Sequence, residues 1–252
     1  MLDYNIITPI EKYGDIYVKR DDTFNIGGGR GGKVRSCWVL SQGAKGLVTA
    51  GSRSSPQVNI VAQIAKVLNI PCRCHVPTGE LYPEVLTAKN AGAEIIQHKY
   101  GYNSVIIKRA KDDAIDKNYT YIPFGMECEE AVTQTSKQVI NIPDNTKRIL
   151  IPVGSGMSLA GVLTGLELFN KDIPVLGVMV GANPIKRLNM YAPPLWQTTC
   201  ELVISSLKYS DKYANNKIGD LILDPIYEAK CIPYLEKDDL LWVVGIRGSI
   251  SI

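Results

Sequence analysis

Short apolar runs recur along the chain at residues 16–19, 47–50, 72–76, 94–97, 120–122, 148–153, 175–180 and 240–244. Each has strand length and is bounded by turn residues. Between many of them, apolar positions fall at helical spacing over residues 57–68, 83–90, 104–116, 129–139 and 158–168. Strands that alternate with helices predict an α/β chain with open, mostly parallel sheets and helices on their faces. Gly46 and Gly92 fall where a helix would end and a strand begin, which suits a left-handed cap. Pro71 and Pro174 stand at strand starts, where a missing N–H does little harm. Residues 191–224 carry only a weak pattern and predict no element. Open sheets of this kind bind ligands outside the carboxyl ends of their strands. Segments that follow strands are therefore the first places to look for chemistry.

Composition narrows the picture. The chain has 252 residues, of which 45% are hydrophobic, enough for one large domain or two smaller ones. A net charge of +3 is too weak to argue for nucleic acid, yet it permits an anionic substrate. No apolar run approaches the roughly 20 residues of a membrane span, so no membrane partner is expected. Residues 1–5 show no basic region followed by an apolar core, and the expectation is a cytoplasmic protein. The six cysteines are scattered. Only Cys72-Arg73-Cys74-His75 is compact enough to suggest a metal, and it reads better as a strand with alternating faces. A structural zinc would want a second ligand pair, so no metal and reduced thiols are expected.

Four segments carry candidate chemistry. Gly154-Ser155-Gly156-Met157-Ser158 follows an apolar strand and opens a helical stretch. Its glycines let backbone approach a ligand, and the free N–H groups of a helix start attract an anion such as phosphate. The plain alternative is a strand-to-helix turn capped by Ser158. It is not a dinucleotide fingerprint, because Leu159 stands where the third glycine would be. Lys33 sits in a glycine-rich run, residues 27–35, flanked by Arg30 and Arg35. Burial or nearby cations would make its amine nucleophilic, and the alternative is a solvated loop lysine. An amine and a phosphate site together suit pyridoxal phosphate, which carries an aldehyde and a phosphate. Residues 51–57 (Gly-Ser-Arg-Ser-Ser-Pro-Gln) could hold a carboxylate at a helix start, or could simply cap it through Ser54 or Ser55. Tyr227 and Glu228 lie beside a proline turn, where the alternative is a solvated surface turn.

Taken jointly, these segments resemble the fold-type-II pyridoxal phosphate enzymes, and most of all the aminocyclopropane-carboxylate deaminase and D-cysteine desulfhydrase branch. The matching blocks are Lys19-Arg20-Asp21-Asp22, Gly31-Gly32-Lys33-Val34-Arg35, the stretch Thr49 to Gln57, the loop Gly154 to Ser158, and Asp224-Pro225-Ile226-Tyr227-Glu228-Ala229-Lys230. They keep the family's order from about residue 15 to residue 245. The resemblance implies two α/β domains with the cofactor in the cleft between them: a larger one of residues 1–40 and 125–252, and a smaller one of residues 41–124. It implies that Lys33 forms the Schiff base and moves the Cα proton. It implies that Gly154, Ser155, Gly156, Met157 and Ser158 hold the phosphate. Ser55, with Ser54 and Gln57, would bind the substrate carboxylate or act on its proton. Tyr227 would be an acid/base or nucleophile partner, and Glu228 would face the ring nitrogen, keeping it protonated and the ring a strong electron sink.

The chain departs from the family pattern at four positions. Pro56 replaces an asparagine, Gln57 a histidine and Gly32 an asparagine, and Met126 interrupts a Gly-Gly after Pro123-Phe124. The expected activity is a lyase or deaminase acting at Cα of a small amino acid, in a homodimer. Alternatives are a decarboxylase, whose amino acid could be attached to a modified nucleobase, a β-replacement synthase, and a non-catalytic pyridoxal phosphate-binding protein.

Overall fold

The computed structural model describes residues 4–99, 102–245 and Arg247. In chain order, the strands of the two main sheets are β1 (Ile10–Tyr13), β2 (Ile16–Arg20), β3 (Leu47–Ala50), β4 (Cys72–Pro77), β5 (Glu94–His98), β6 (Thr120–Ile122), β7 (Ile149–Val153), β8 (Val175–Met179), β9 (Cys200–Ile204) and β10 (Leu240–Val243). The helices are α1 (Gly32–Leu40), α2 (Gln57–Leu68), α3 (Pro83–Asn90), α4 (Asn103–Lys117), α5 (Glu129–Ser136), α6 (Met157–Leu168) and α7 (Ile185–Tyr191). The chain forms two compact units, one of residues 4–24 and 128–245 and the other of residues 25–127 with Arg247. Residues 25–40 and 125–127, with Arg247, which the sequence groups with the larger segment, fall in the second unit. The outer ends of the expected larger domain, residues 1–3 and 248–252, lie outside the described residues.

In the first unit a six-stranded sheet runs β1-β2-β10-β7-β8-β9. The β1–β2 hairpin is antiparallel and every other pairing is parallel. β7 is buried along its whole length, as expected of a parallel strand covered on both faces. Ile149, Ile151, Leu240 and Trp242 pack with Val162 and Leu166 of α6 in the core of this unit.

In the second unit four parallel strands run β5-β4-β3-β6. Val48 and Ala50 of β3 meet Ile106, Ala110 and Ala114 of α4. α2 and α4 end on Asn69 and Asn118 in the left-handed conformation that asparagine tolerates best after glycine.

Local patterns placed most of these elements within a residue or two. α1 was not foreseen, because glycines at its start hide the helical period. The 129–139 stretch is α5 followed by a 3-10 turn, Lys137–Val139. β9 and α7 arise where polar and apolar residues are too mixed to show a period. Gly92 is left-handed as expected, but Gly46 is not among the left-handed glycines. There, a Cβ would lie 2.7 Å from the Tyr119 ring, so Gly46 is needed for closeness rather than for a cap.

Candidate active site

In the first unit, β7 ends at Val153 and α6 begins at Met157. Between them the backbone turns through Gly156, whose φ of 92° is one that glycine adopts without strain. The N-cap position of α6 is Gly156 rather than Ser158, and among the described residues no side chain caps the helix start. That leaves the first N–H groups of α6 for a ligand. Crowding explains the glycines. A Cβ on Gly154 would lie 2.8 Å from Tyr227 Oη, and one on Gly156 would lie 2.9 Å from Pro184 Cβ. A Cβ on Gly181, which follows β8, would lie 3.2 Å from Gly154 Cα. Met157 is buried in the core, so only its backbone can serve a ligand. Ser155 and Ser158 are half-buried.

Tyr227 lies against this turn, and Glu228 follows it in the chain. Neither is the solvated surface residue of the plain alternative: Glu228 is fully buried and Tyr227 half-buried. Glu228 Oε1 accepts a hydrogen bond from the Gly245 N–H at 3.3 Å. Burial, and then the Glu228 carboxylate, drive the Tyr227 phenol well above the ordinary tyrosine range, although the Gly154 N–H pulls the other way. Lys230, in the same block, is also buried, and its Nζ donates to the Lys208 and Tyr209 carbonyls at 2.6 and 3.1 Å.

Lys33, Ser54, Ser55 and Gln57 belong to the second unit. Lys33 is half-buried in the first turn of α1, after Gly31 with φ 99°. Ser54 and Ser55 form the bend between β3 and α2. The Ser54 carbonyl accepts from Arg247 Nε at 3.3 Å, and Ser55 Oγ accepts from the Gln57 N–H at 3.3 Å. Accepting there leaves the Ser55 hydroxyl proton to be donated elsewhere. Beside Ser54, Arg53 donates to the Glu80 carbonyl at 3.2 Å and stacks over Tyr82. The Gln57 amide is fully engaged with Thr49, Pro123 and Gly125.

Comparison with known proteins decides the family. A model of the family described as "Pyridoxal-phosphate dependent enzyme" matches residues 5–208. The chain belongs to this family. Its cofactor is pyridoxal 5'-phosphate. The chain is 30% identical to a putative 1-aminocyclopropane-1-carboxylate deaminase of Pyrococcus horikoshii, over 86% of this chain and 77% of that protein. A protein of the same description from Thermotoga maritima is 29% identical, over 87% and 83%. Among solved structures, an ACC deaminase homologue superposes with a TM-score of 0.81 at 22% identity, covering 96% of this chain and 90% of that one. At that identity the superposition shows the fold, which is fold type II. The decarboxylase alternative gains no support from these relatives.

The cofactor fits the residues present. At Gly154, Gly156 and Gly181 the backbone is packed too closely for side chains, and among the described residues no side chain caps the helix start beside it, so backbone N–H groups suited to a phosphate face the turn. A buried carboxylate, Glu228, stands in the same unit. The sequence reading missed Gly181 and Gly245, yet a signal was available. Each follows an apolar strand closely, as Gly51 follows β3 and Gly154 follows β7.

Proposed function

We propose that the enzyme is a lyase or deaminase that breaks a bond at Cα of a small amino acid, with Lys33 as the amine that carries the cofactor. The observation that carries this reading is the Gly154–Tyr227 contact. It sets a phenol against a glycine turn that opens a helix, with the buried Glu228 carboxylate next in the chain, in a chain of this family. When bound, pyridoxal phosphate supplies an aldehyde for an amino group and a ring that takes up charge from Cα. Gly154, Ser155, Gly156, Met157 and Ser158 offer backbone N–H groups, and the two serines offer hydroxyls, for the phosphate. Glu228 is the carboxylate for the ring nitrogen and favours its protonated form.

Lys33 Nζ takes and returns the Cα proton. Ser55 donates a hydrogen bond from its hydroxyl to the substrate carboxylate, since the oxygen already accepts from the Gln57 N–H. Ser54 lines the same bend. Tyr227 keeps its proton at neutral pH and acts as a donor. The deaminase names of the relatives point to 1-aminocyclopropane-1-carboxylate as the first substrate to try. By family resemblance we propose a homodimer, and we place it in the cytoplasm.

The test is turnover of 1-aminocyclopropane-1-carboxylate, D-cysteine, L-serine and L-threonine, followed as ammonia and 2-oxo acid. Release of both supports a deaminase. Carbon dioxide without ammonia would overturn the reading. A cofactor-loaded protein inert to the whole panel would return the non-catalytic alternative.

A further inference from the structure

We infer that Gln57 is a positioning residue whose single side-chain amide holds in register the segment bearing Ser55 and the turn that supports the Lys33 helix. The inference rests on the roles of Ser55 and Lys33 proposed above. Gln57 is the first residue of α2 and is 1% exposed. Its Nε2 donates to Thr49 Oγ1 at 3.0 Å and to the Pro123 carbonyl at 2.7 Å. Its Oε1 accepts the Gly125 N–H at 2.8 Å. Thr49 Oγ1 in turn donates to the Ile122 carbonyl at 3.0 Å. Both amide protons and the amide oxygen are thus engaged, so the group that the sequence offered for substrate instead ties the end of β3 to the turn after β6.

That turn needs holding. Gly125 has φ 69°, and Met126 follows at φ 56° while 1% exposed. Two consecutive left-handed residues, one of them not glycine, persist only where their surroundings over-determine them. The Met126 N–H closes the turn on the Pro123 carbonyl at 3.0 Å. Gln57 grips that same carbonyl and the Gly125 N–H. α1 packs against this turn and against β6, and Lys33 is its second residue. On the other side, the Gln57 backbone N–H fixes Ser55 Oγ. A shift of Gln57, through its backbone N–H and its side-chain amide, therefore moves the supports of both proposed catalytic groups.

The experiment uses the full chain and two variants. Gln57→Glu keeps the shape and the acceptor for Gly125 but loses both donations, and Gln57→Ala loses everything. Hydrogen exchange of peptides spanning residues 51–58 and 120–127 is measured without cofactor. The rate at which added pyridoxal phosphate becomes fixed to Lys33 by borohydride is then followed by peptide mass spectrometry. In Gln57→Glu, exchange in both peptides should rise together by about tenfold or more, as expected for two lost hydrogen bonds. Exchange over residues 147–180 should stay unchanged, which also reports that the variant is folded. Labelling at Lys33 should slow by about tenfold to a hundredfold, the cost of a displacement near an ångström. Loosening of one peptide alone, or of neither, overturns the bridge. Loosening of both with unchanged labelling makes Gln57 merely structural and overturns the positioning role. If Gln57→Ala does not fold, Gln57→Glu decides. Label appearing on another lysine would sink the Lys33 assignment while leaving the exchange result to judge the bridge.

Discussion

Two strand-to-helix turns of this enzyme solve the same problem in opposite ways. The turn from β7 to α6 makes its site by leaving atoms out. Gly154 and Gly156 bear no Cβ because Tyr227 and Pro184 occupy that space, and among the described residues no side chain caps the helix start. The turn from β3 to α2 makes its site by adding bonds. The Gln57 N–H donates to Ser55 Oγ and Arg247 donates to the Ser54 carbonyl, while Gln57 Nε2 and Arg53 tie the turn outward to the Pro123 and Glu80 carbonyls. A site built of absences tolerates no enlargement. A site built of hydrogen bonds can exchange its residues, provided that each exchange is compensated. Two of the residues that set this chain apart from the family it resembles in sequence, Pro56 and Gln57, belong to the second turn.

The largest effect should come from the second unit. Lys33→Ala should lower turnover by about a thousandfold or more, the scale of a lost proton-transfer group. Steady-state kinetics on the best substrate checks this, and a variant within tenfold of wild type would remove Lys33 from its role. Next comes the turn of absences. Gly154→Ala drives a methyl group to 2.8 Å from Tyr227 Oη, and such overpacking costs about 1–3 kcal/mol. Urea unfolding and titration with pyridoxal phosphate should show both lower stability and weaker cofactor binding. Ser55→Ala should act more gently, raising KM by about tenfold for one lost hydrogen bond to a charged group. If it lowered kcat alone, Ser55 would be handling a proton rather than holding the carboxylate.

The smallest effect tests the polar style of the second unit away from the site. Arg109 can only donate, so it fixes a chain of bonds from His98 through His75 to Asp113, with spacings of 3.0, 2.8 and 2.8 Å. Burial, with the nearby His75 and Arg109, holds His98 below its usual 6.5. The sign follows directly. The unfolded chain binds a proton at His98 below about 6.5 and the folded chain resists it. This contribution to stability is therefore complete above that pH and fades as pH falls towards the folded value. At Asp113 burial pushes upwards, but Arg73 and His75 outweigh it and hold the carboxyl below its usual 3.8. Its contribution is therefore lost only in stronger acid. Urea midpoints measured between about pH 7.5 and 5 should fall with acid in the wild type. They should fall less in His98→Gln, and an equal slope in both would exclude the histidine.

How far the sequence carried these conclusions depends on the same contrast. The β7–α6 turn was legible because its signal is local: an apolar run, then Gly-Ser-Gly, then a helix. The strands 47–50 and 120–122 and the helices 57–68 and 83–90 were legible for the same reason. The Gln57 bridge was not. It joins residues that are 66 and 68 positions apart, and nothing local shows that a glutamine amide will close on a distant carbonyl. The Tyr227 block was legible as a motif but not as an environment. Only tertiary packing buries Glu228 and Lys230, which a local reading treats as solvated. α1 stayed hidden behind Gly31 and Gly32, although it bears the residue on which the reaction is proposed to turn.

The most direct test asks which lysine carries the cofactor. Two other lysines, Lys19 and Lys230, are fully buried and offer themselves as rivals. The wild-type protein is incubated with pyridoxal phosphate, reduced with borohydride, digested and sequenced by mass spectrometry. The pyridoxyl phosphate mass should appear on the peptide containing Lys33, and should vanish in Lys33→Ala with no gain elsewhere. The same mass on Lys19, Lys230 or any other lysine of the wild type would contradict the account.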